Sequence, residues 1–352
     1  MNTRLQELIR SFAKSRIDCL LVTKDVNTAY LTGFPASESW LLVSPKKSVY
    51  ITDSRYILEA KEGLKGLRGI SVKCFTKSIY ATLFESAKAL GLKRLGVDES
   101  QLTVTQYKAL QKNFSPIKMV SANGLVENLR EIKDTQEIRL IEKALKIHAQ
   151  ALAQLKRFIK PGISEEKVGE WLTDFVKRQK VKFSFPAIIA SGPNSCYPHA
   201  KVTTRIIGHN EPVLVDMGID VGGYKSDLTR MFFLGKIPKL IWQVNEIVRD
   251  AQHRAIEKIQ PGVVACEVDL LARNWLAKKG LAKYFGHSLG HGVGLEVHET
   301  PRLSQKSNAV LKAGMIVTVE PGVYIPHKFG IRIEDMVLVT EKGYRILSDN
   351  IN

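Results

Sequence analysis

Apolar residues in the first 125 positions gather into short runs separated by stretches of helical period. "DCLLVTK", "WLLVSP", "SVYITD" and "RLGVDE" read as buried strands, while the amphipathic start and "ATLFESAKALGL" read as helices. Such alternation predicts an α/β layered domain, because a helix face and a sheet face each need an apolar partner. The ionisable residues of this half are scattered, so it reads as a support domain without a catalytic constellation.

Helical period then strengthens in "VENLREIKDTQEIRLIEKALKIHAQALAQLKRFIKPG". Asp134 and Glu137 have the spacing of a capping box, and Ile138, Ile141, Leu145, Leu152, Leu155 and Ile159 recur at intervals of three, four and seven. Lys160-Pro161-Gly162 stops the helix, and His148, filling a gap in the stripe, reads as a structural histidine. This segment opens a second domain, giving expected boundaries of 1–125 and 126–352. Within it, "KRFIKPGISEEKVGEWLTDFVKRQ" resembles "EKIQPGVVACEVDLLARNWLAKKG", and each leads into strand-like sequence. The second domain is therefore expected to be two related halves whose facing sheets enclose a central site.

Three stretches of the second domain place polar groups where an apolar pattern would have none. "EPVLVDMGIDVGGYKSDLTRMFFLG" reads as a β-hairpin with a turn near Gly222-Gly223, and a turn centred between Val221 and Gly222 would pair Asp216 directly with Asp227. Carboxylates opposed on neighbouring strands repel unless a cation lies between them. In "GHSLGHGVGLEVHE" the i, i+4 pair His287 and His291 would share a helix face, but Gly290, Gly292 and Gly294 exclude a helix; "LEVHE" alternates like a strand. Glu320 closes the apolar run "AGMIVTVEPGVYI", and "FGIRIEDMVLVT" reads as one further strand with Arg332 and Glu334 on a common face.

Composition narrows the class. The chain has 352 residues, 44% hydrophobic and 25% charged, and no stretch approaches the ~20 apolar residues of a membrane span. The N-terminus lacks an apolar core followed by a small-residue cleavage site, so a cytoplasmic protein is expected. Cys19, Cys74, Cys196 and Cys266 form no C-x-x-C pair, which argues against a disulfide framework or a thiolate zinc site. The net charge of +17 divides almost evenly, +9 in residues 1–125 and +8 in the rest, with no basic tail, so nucleic acid is not the expected partner.

Two Asp, two Glu and a histidine on strands or Gly-rich turns of one domain suit two divalent cations bridged by carboxylates. Oxygen-dominated ligation favours hard or borderline ions, Mn²⁺ or Co²⁺ first and then Zn²⁺ or Fe²⁺. "VDMGIDVGGYKSDLTR", "GHGVGLEVHE", "TVEPGVY" and "GIRIEDMVLVT" resemble, in order and spacing, the motifs of the Xaa-Pro peptidases, the proline dipeptidases and aminopeptidase P, which are dinuclear metallopeptidases of the pita-bread fold. The N-terminal half resembles the creatinase-like accessory domain of that family more loosely.

The resemblance implies an α/β N-terminal domain followed by an α+β pita-bread catalytic domain with an internal pseudo-two-fold repeat. It places the metal ligands on Asp216, Asp227, His291, Glu320 and Glu334. It further implies that Glu320 is the general base, that His199 and His298 contact substrate and the tetrahedral intermediate, and that Arg302, Arg332 and His287 bind substrate or support the site. A metal-bridging hydroxide would hydrolyse Xaa-Pro bonds in short proline-containing peptides, in a homodimer. Met231 stands where a Thr is common, and Lys201 follows "PHA"; neither touches a ligand position. The alternatives are an inactive pita-bread binding protein and an aminopeptidase of different N-terminal specificity.

Overall fold

The computed structural model describes residues 3–349 and 351. The chain forms two compact units, Met1–Arg130 and Glu131–Asn352.

In the first unit, helices α1 (Thr3–Arg10), α2 (Phe12–Ser15), α3 (Asp25–Thr32), α4 (Ile57–Gly63), α5 (Ile79–Ala89), α6 (Val104–Phe114) and α7 (Glu127–Arg130) accompany six strands. These are β1 (Cys19–Val22), β2 (Trp40–Val43), β3 (Ser48–Thr52), β4 (Ile70–Cys74), β5 (Arg94–Val97) and β6 (Lys118–Ser121), joined in one mixed sheet of order β4-β3-β2-β1-β5-β6. Every residue of β1, β2 and β3 is buried, which explains their unbroken apolar runs. Leu83 and Ala87 of α5 and Leu110 and Phe114 of α6 close the core on this sheet.

The second unit opens with α8 (Thr135–Phe158). Its N-terminus is held by a capping box: the Asp134 carboxylate accepts from the Gln136 and Glu137 amides, and Glu137 Oε2 accepts from the Asp134 amide at 2.7 Å. Ile141, Leu145, Leu152, Leu155 and Ile159 are buried as the stripe predicts, with Ile138 packed at its margin. His148 is fully buried, its Nδ1 3.4 Å from Ser226 Oγ.

After α8 come α9 (Glu165–Arg178), β7 (Lys182–Phe183), β8 (Ile188–Ser191), β9 (Glu211–Met217), β10 (Ile219–Val221), β11 (Tyr224–Lys225) and β12 (Leu228–Leu234). The other half contains α10 (Lys239–Ile256), α11 (Ala265–Lys278), β13 (Gly290–Gly292), β14 (Glu299–Leu303), β15 (Ile316–Val319), β16 (Gly322–Ile325), β17 (Phe329–Arg332), β18 (Asp335–Thr340) and β19 (Gly343–Ile346). Two three-stranded sheets, β12-β9-β8 and β11-β10-β7, serve the α8–α9 half; a five-stranded sheet, β14-β13-β15-β18-β19, and the β16-β17 pair serve the α10–α11 half. The repeat is visible in the main chain. Gly162 and Gly262, 100 positions apart, donate to the Ile207 and Leu311 carbonyls at 2.9 Å each, and Glu165 and Ala265 donate to those of Arg205 and Ala309. Each helix pair buries its apolar face in a core of its own half. These are the two related halves expected from the repeat, in the pita-bread arrangement that the family resemblance implies.

Three local expectations are corrected. Gly222 and Gly223 both take positive φ (62° and 87°), so the hairpin turns on this pair and not on the β-branched Val221. The resulting register sets Asp216 opposite Thr229, and Asp227 becomes its diagonal neighbour on the same face. "FGIRIEDMVLVT" is two strands, not one: β17 pairs with β16, whereas β18 pairs with β15 and β19. The break follows from Glu334, whose amide donates to Thr229 O at 3.4 Å and whose carbonyl accepts from Arg230 Nη1 at 2.5 Å, both outside the ladders. In "LEVHE" the residues Leu295 to His298 are bends and only Glu299 joins β14, because the Glu299 carboxylate turns back to the Glu296 amide at 3.0 Å and pairs with Lys133 at 3.1 Å.

Candidate metal centre

Main-chain packing explains why histidine and glycine alternate at the centre of the second unit. A Cβ at Gly290 would lie 2.0 Å from the Thr318 carbonyl oxygen, and one at Gly292 would lie 2.2 Å from that of Thr300. Only glycine lets β13 approach both neighbours this closely, leaving His291 as the one side chain projecting from the strand's middle. His291 Nδ1 is 3.1 Å from the Gly292 carbonyl, which can only accept. Nε2 therefore faces Glu320 Oε1 at 3.3 Å and Asp227 Oδ2 at 3.7 Å, an arrangement that needs a proton or a cation between them.

Ligand atoms of Asp227, His291 and Glu334 lie within 4.8 Å of one another, the one such group of three among the described residues. Glu320 joins it through His291. Asp216 joins through a shared frame: Thr229 Oγ1 donates to Glu334 Oε2 at 2.7 Å and accepts from Arg332 Nε at 2.9 Å, while Arg332 Nη2 donates to Asp216 Oδ2 at 2.5 Å. Asp216 Oδ1 is buried and has no hydrogen-bond partner, an expensive condition for a carboxylate oxygen.

The electrostatics make the same demand. Burial, then the charges of Glu334, Asp216 and Glu320, holds the Asp227 carboxyl well above the usual carboxylate range. Burial and then Glu320 and Asp216 do the same to Glu334. Burial also raises Asp216, against the opposing charge of Arg332. At Glu320 burial pushes upward too, but the hydrogen bond and charge of His291 outweigh it and the carboxyl falls below its ordinary value. Four carboxylates so placed are not ionised together unless cations neutralise them. The oxygen-rich donor set with a single imidazole, and the unpartnered Asp216 oxygen, fit divalent metal ions.

Around this cluster the other residues singled out in the sequence take different places. The His298 ring meets His291 edge to face at 4.4 Å, and burial, then the charge of His291, lowers its pKa. His199 is exposed on the loop after β8, and its charge acts on Asp216. Arg302 is exposed and stands opposite His291 across β13 and β14. Arg332 is 3% exposed and also donates from Nη1 to the Pro198 carbonyl and to Tyr324 Oη, 2.9 Å each. His287 lies at the end of that chain. Its Nδ1 donates to the Ser288 carbonyl at 2.8 Å, so Nε2, 3.1 Å from Tyr324 Oη, is an acceptor for the phenol proton, and burial keeps its pKa low. Sequence reasoning missed Thr229 and Tyr324. Thr229 shares the face of Asp227 two residues away, a period-two signal that was available; Tyr324 sits in an apolar strand and offered none. Burial pushes the Tyr324 phenol up to about 12.

These features define a metallopeptidase-type centre between two pseudo-symmetric halves. The sequence pattern of metallopeptidase family M24 matches residues 139–341, and that of the creatinase/prolidase N-terminal domain matches residues 4–132; the chain belongs to family M24. It is 38% identical to the uncharacterized peptidase YqhT of Bacillus subtilis (strain 168) over 98% of this chain and 97% of that protein. It is 36% identical to the Xaa-Pro dipeptidase of Pyrococcus horikoshii over 99% of this chain and 97% of the relative. The solved Xaa-Pro dipeptidase from Bacillus anthracis superposes with a TM-score of 0.93 at 35% identity, covering 99% and 97% of the two chains. No helix among the described residues is long and apolar enough to cross a membrane.

Proposed function

We propose that this metallopeptidase hydrolyses Xaa-Pro bonds in short peptides with two divalent cations held by Asp216, Asp227, His291, Glu320 and Glu334. The observation that carries the proposal is the convergence of buried carboxylates on the Nε2 of His291. When bound, such cations supply a water of lowered pKa and a polarised scissile carbonyl. Mn²⁺ or Co²⁺ suits the donor set best, with Zn²⁺ or Fe²⁺ next.

The protein's own groups do the rest. Glu320 takes the proton of the attacking water and returns it to the leaving proline nitrogen. His298, edge to face with His291, and His199 donate to the peptide and to the developing oxyanion, contacts of a kind whose removal costs about 10²–10³ in rate. Arg302 meets the carboxylate end of the peptide. Arg332, Thr229, Tyr324 and His287 form one hydrogen-bonded frame that fixes Asp216 and Glu334. Proline has no N–H and a fixed φ, so a site that requires no donor from the leaving residue can accept it where peptidases that need that donor cannot.

Parallel assays of an Xaa-Pro dipeptide, an Xaa-Pro-Xaa tripeptide and the matched peptides with Ala for Pro test this function. Cleavage confined to the proline peptides supports it, and the length preference assigns dipeptidase or aminopeptidase; equal cleavage of the alanine peptides refutes it. A homodimeric state and a cytoplasmic location belong to the same proposal, and sedimentation at micromolar concentration tests the first.

A further inference from the structure

A cavity of about 530 Å³ lies in the second unit along the free edge of β12, between α8 and α10, and the hydrolytic chemistry makes no use of it. Its size falls within the range of small-ligand sites. The strand's edge is open there. Glu334 donates to the Thr229 carbonyl, so the main-chain groups of Thr229 point away from β9, and the two-residue period repeats this at Met231 and Phe233. No hydrogen bond among the described residues satisfies the outward groups of Met231 and Phe233. Their side chains pack toward the α10 core, giving the cavity an apolar wall with Ile333.

The charges of the cavity are one-sided. Asp335, its one acidic group, is already engaged by Arg230 Nη2 at 2.8 Å and Ser348 Oγ at 2.6 Å. Gln252 is committed to the Val319 and Ile333 carbonyls. Lys156 and Arg249 remain at the rim; Arg249 reaches an acid only at Glu246, 4.0 Å away and exposed, and Lys156 has no ion pair among the described residues.

From these observations we infer that the cavity is a second peptide site, which takes a short, extended, apolar peptide as an added strand on β12 with its C-terminal carboxylate on Arg249 and Lys156. An added strand meets unpaired main-chain groups two residues apart, about 6.8 Å, and lays alternate side chains on the apolar wall. A fatty acid or a simple anion supplies the charge but not that spacing. The site is separate from the hydrolytic reading and stands or falls without it.

Calorimetric titration of the full chain with acetyl-Leu-Leu, which has a free carboxylate, a blocked amine and no proline, tests the inference. Binding is expected in the wild type, weakened about tenfold or more by a C-terminal carboxamide on the peptide or by Arg249→Glu, since each removes a charge-assisted contact. Met231→Pro, which removes an outward N–H and the Met231 side chain from the wall, should weaken it as well, while His298→Ala should leave it intact. Absence of binding at millimolar peptide, equal affinity for the carboxamide, full affinity in R249E, or loss in H298A, which would put the peptide in the hydrolytic site, each overturns it.

Discussion

Thr229→Val removes one hydroxyl and leaves a β-branched residue of the same shape in β12. Thr229 is fully buried, and its oxygen donates to Glu334 Oε2 at 2.7 Å and accepts from Arg332 Nε at 2.9 Å. Both partners are charged groups, and hydrogen bonds of that kind contribute about 1.5–3 kcal/mol each. Arg332 keeps its bonds to Asp216, Pro198 and Tyr324, and valine carries no polar atom to desolvate, so the net loss falls well below the sum. A net loss of about 1.4–2.8 kcal/mol corresponds to a ten- to hundredfold change, the range found when outer partners of metal ligands are removed. Titration of the metal-stripped protein with Mn²⁺ by calorimetry should therefore show affinity reduced about ten- to hundredfold, with Thr229→Ser restoring most of it. An affinity within about twofold of wild type in T229V, with its fold intact by circular dichroism, would refute the idea that this hydroxyl holds Glu334 for the metal.

Glu320→Gln should reduce kcat by about 10²–10⁴ in steady-state assays, the contribution of a general base; retention of wild-type kcat would remove Glu320 from that role. The metal-free protein should lose stability as pH rises from the ordinary carboxylate range of about 4 upward, because Asp227 and Glu334 hold protons in the folded state that the unfolded chain has already released. Thermal melts at pH 5 and pH 8 check this, and excess Mn²⁺ should reverse the order by requiring ionised ligands. Lys133→Met removes the cation from an ion pair whose side chains are 1% and 5% exposed, and denaturant unfolding should register a loss of about 3–5 kcal/mol. A loss below about 1 kcal/mol would mean that the pair is effectively solvated. Gly292→Ala should abolish metal binding, since its Cβ meets main chain and not a side chain that can move.

The helices and buried strands were legible because burial enforces period: the α8 stripe, its Asp134–Glu137 cap and the Pro-Gly stops all appear where the pattern put them. The repeat was equally legible, and paired hydrogen bonds 100 residues apart realise it. Register was not, because a shift of one residue in the turn centre decides whether Asp216 meets Asp227 or Thr229, and only the φ values of Gly222 and Gly223 settle that. The break at Ile333-Glu334 was hidden for a related reason: main-chain partners supplied by Arg230 and Thr229 come from another element and leave no mark on the local alternation. Candidate ligands could be found since a charged residue inside an apolar run is conspicuous. Thr229 carried only the weaker signal of sharing the face of Asp227, and Tyr324 none, because a tyrosine in a strand is ordinary and its importance lies in what it touches.

The most direct test is the activity of metal-stripped protein on an Xaa-Pro dipeptide as Mn²⁺ is added in known equivalents. Hydrolysis should be absent in chelator, rise with added metal and reach its plateau at two equivalents per chain, and Asp227→Asn should move the plateau or abolish the activity. Full hydrolysis in chelator, or a plateau unaffected by D227N, would contradict a dinuclear centre built on these residues.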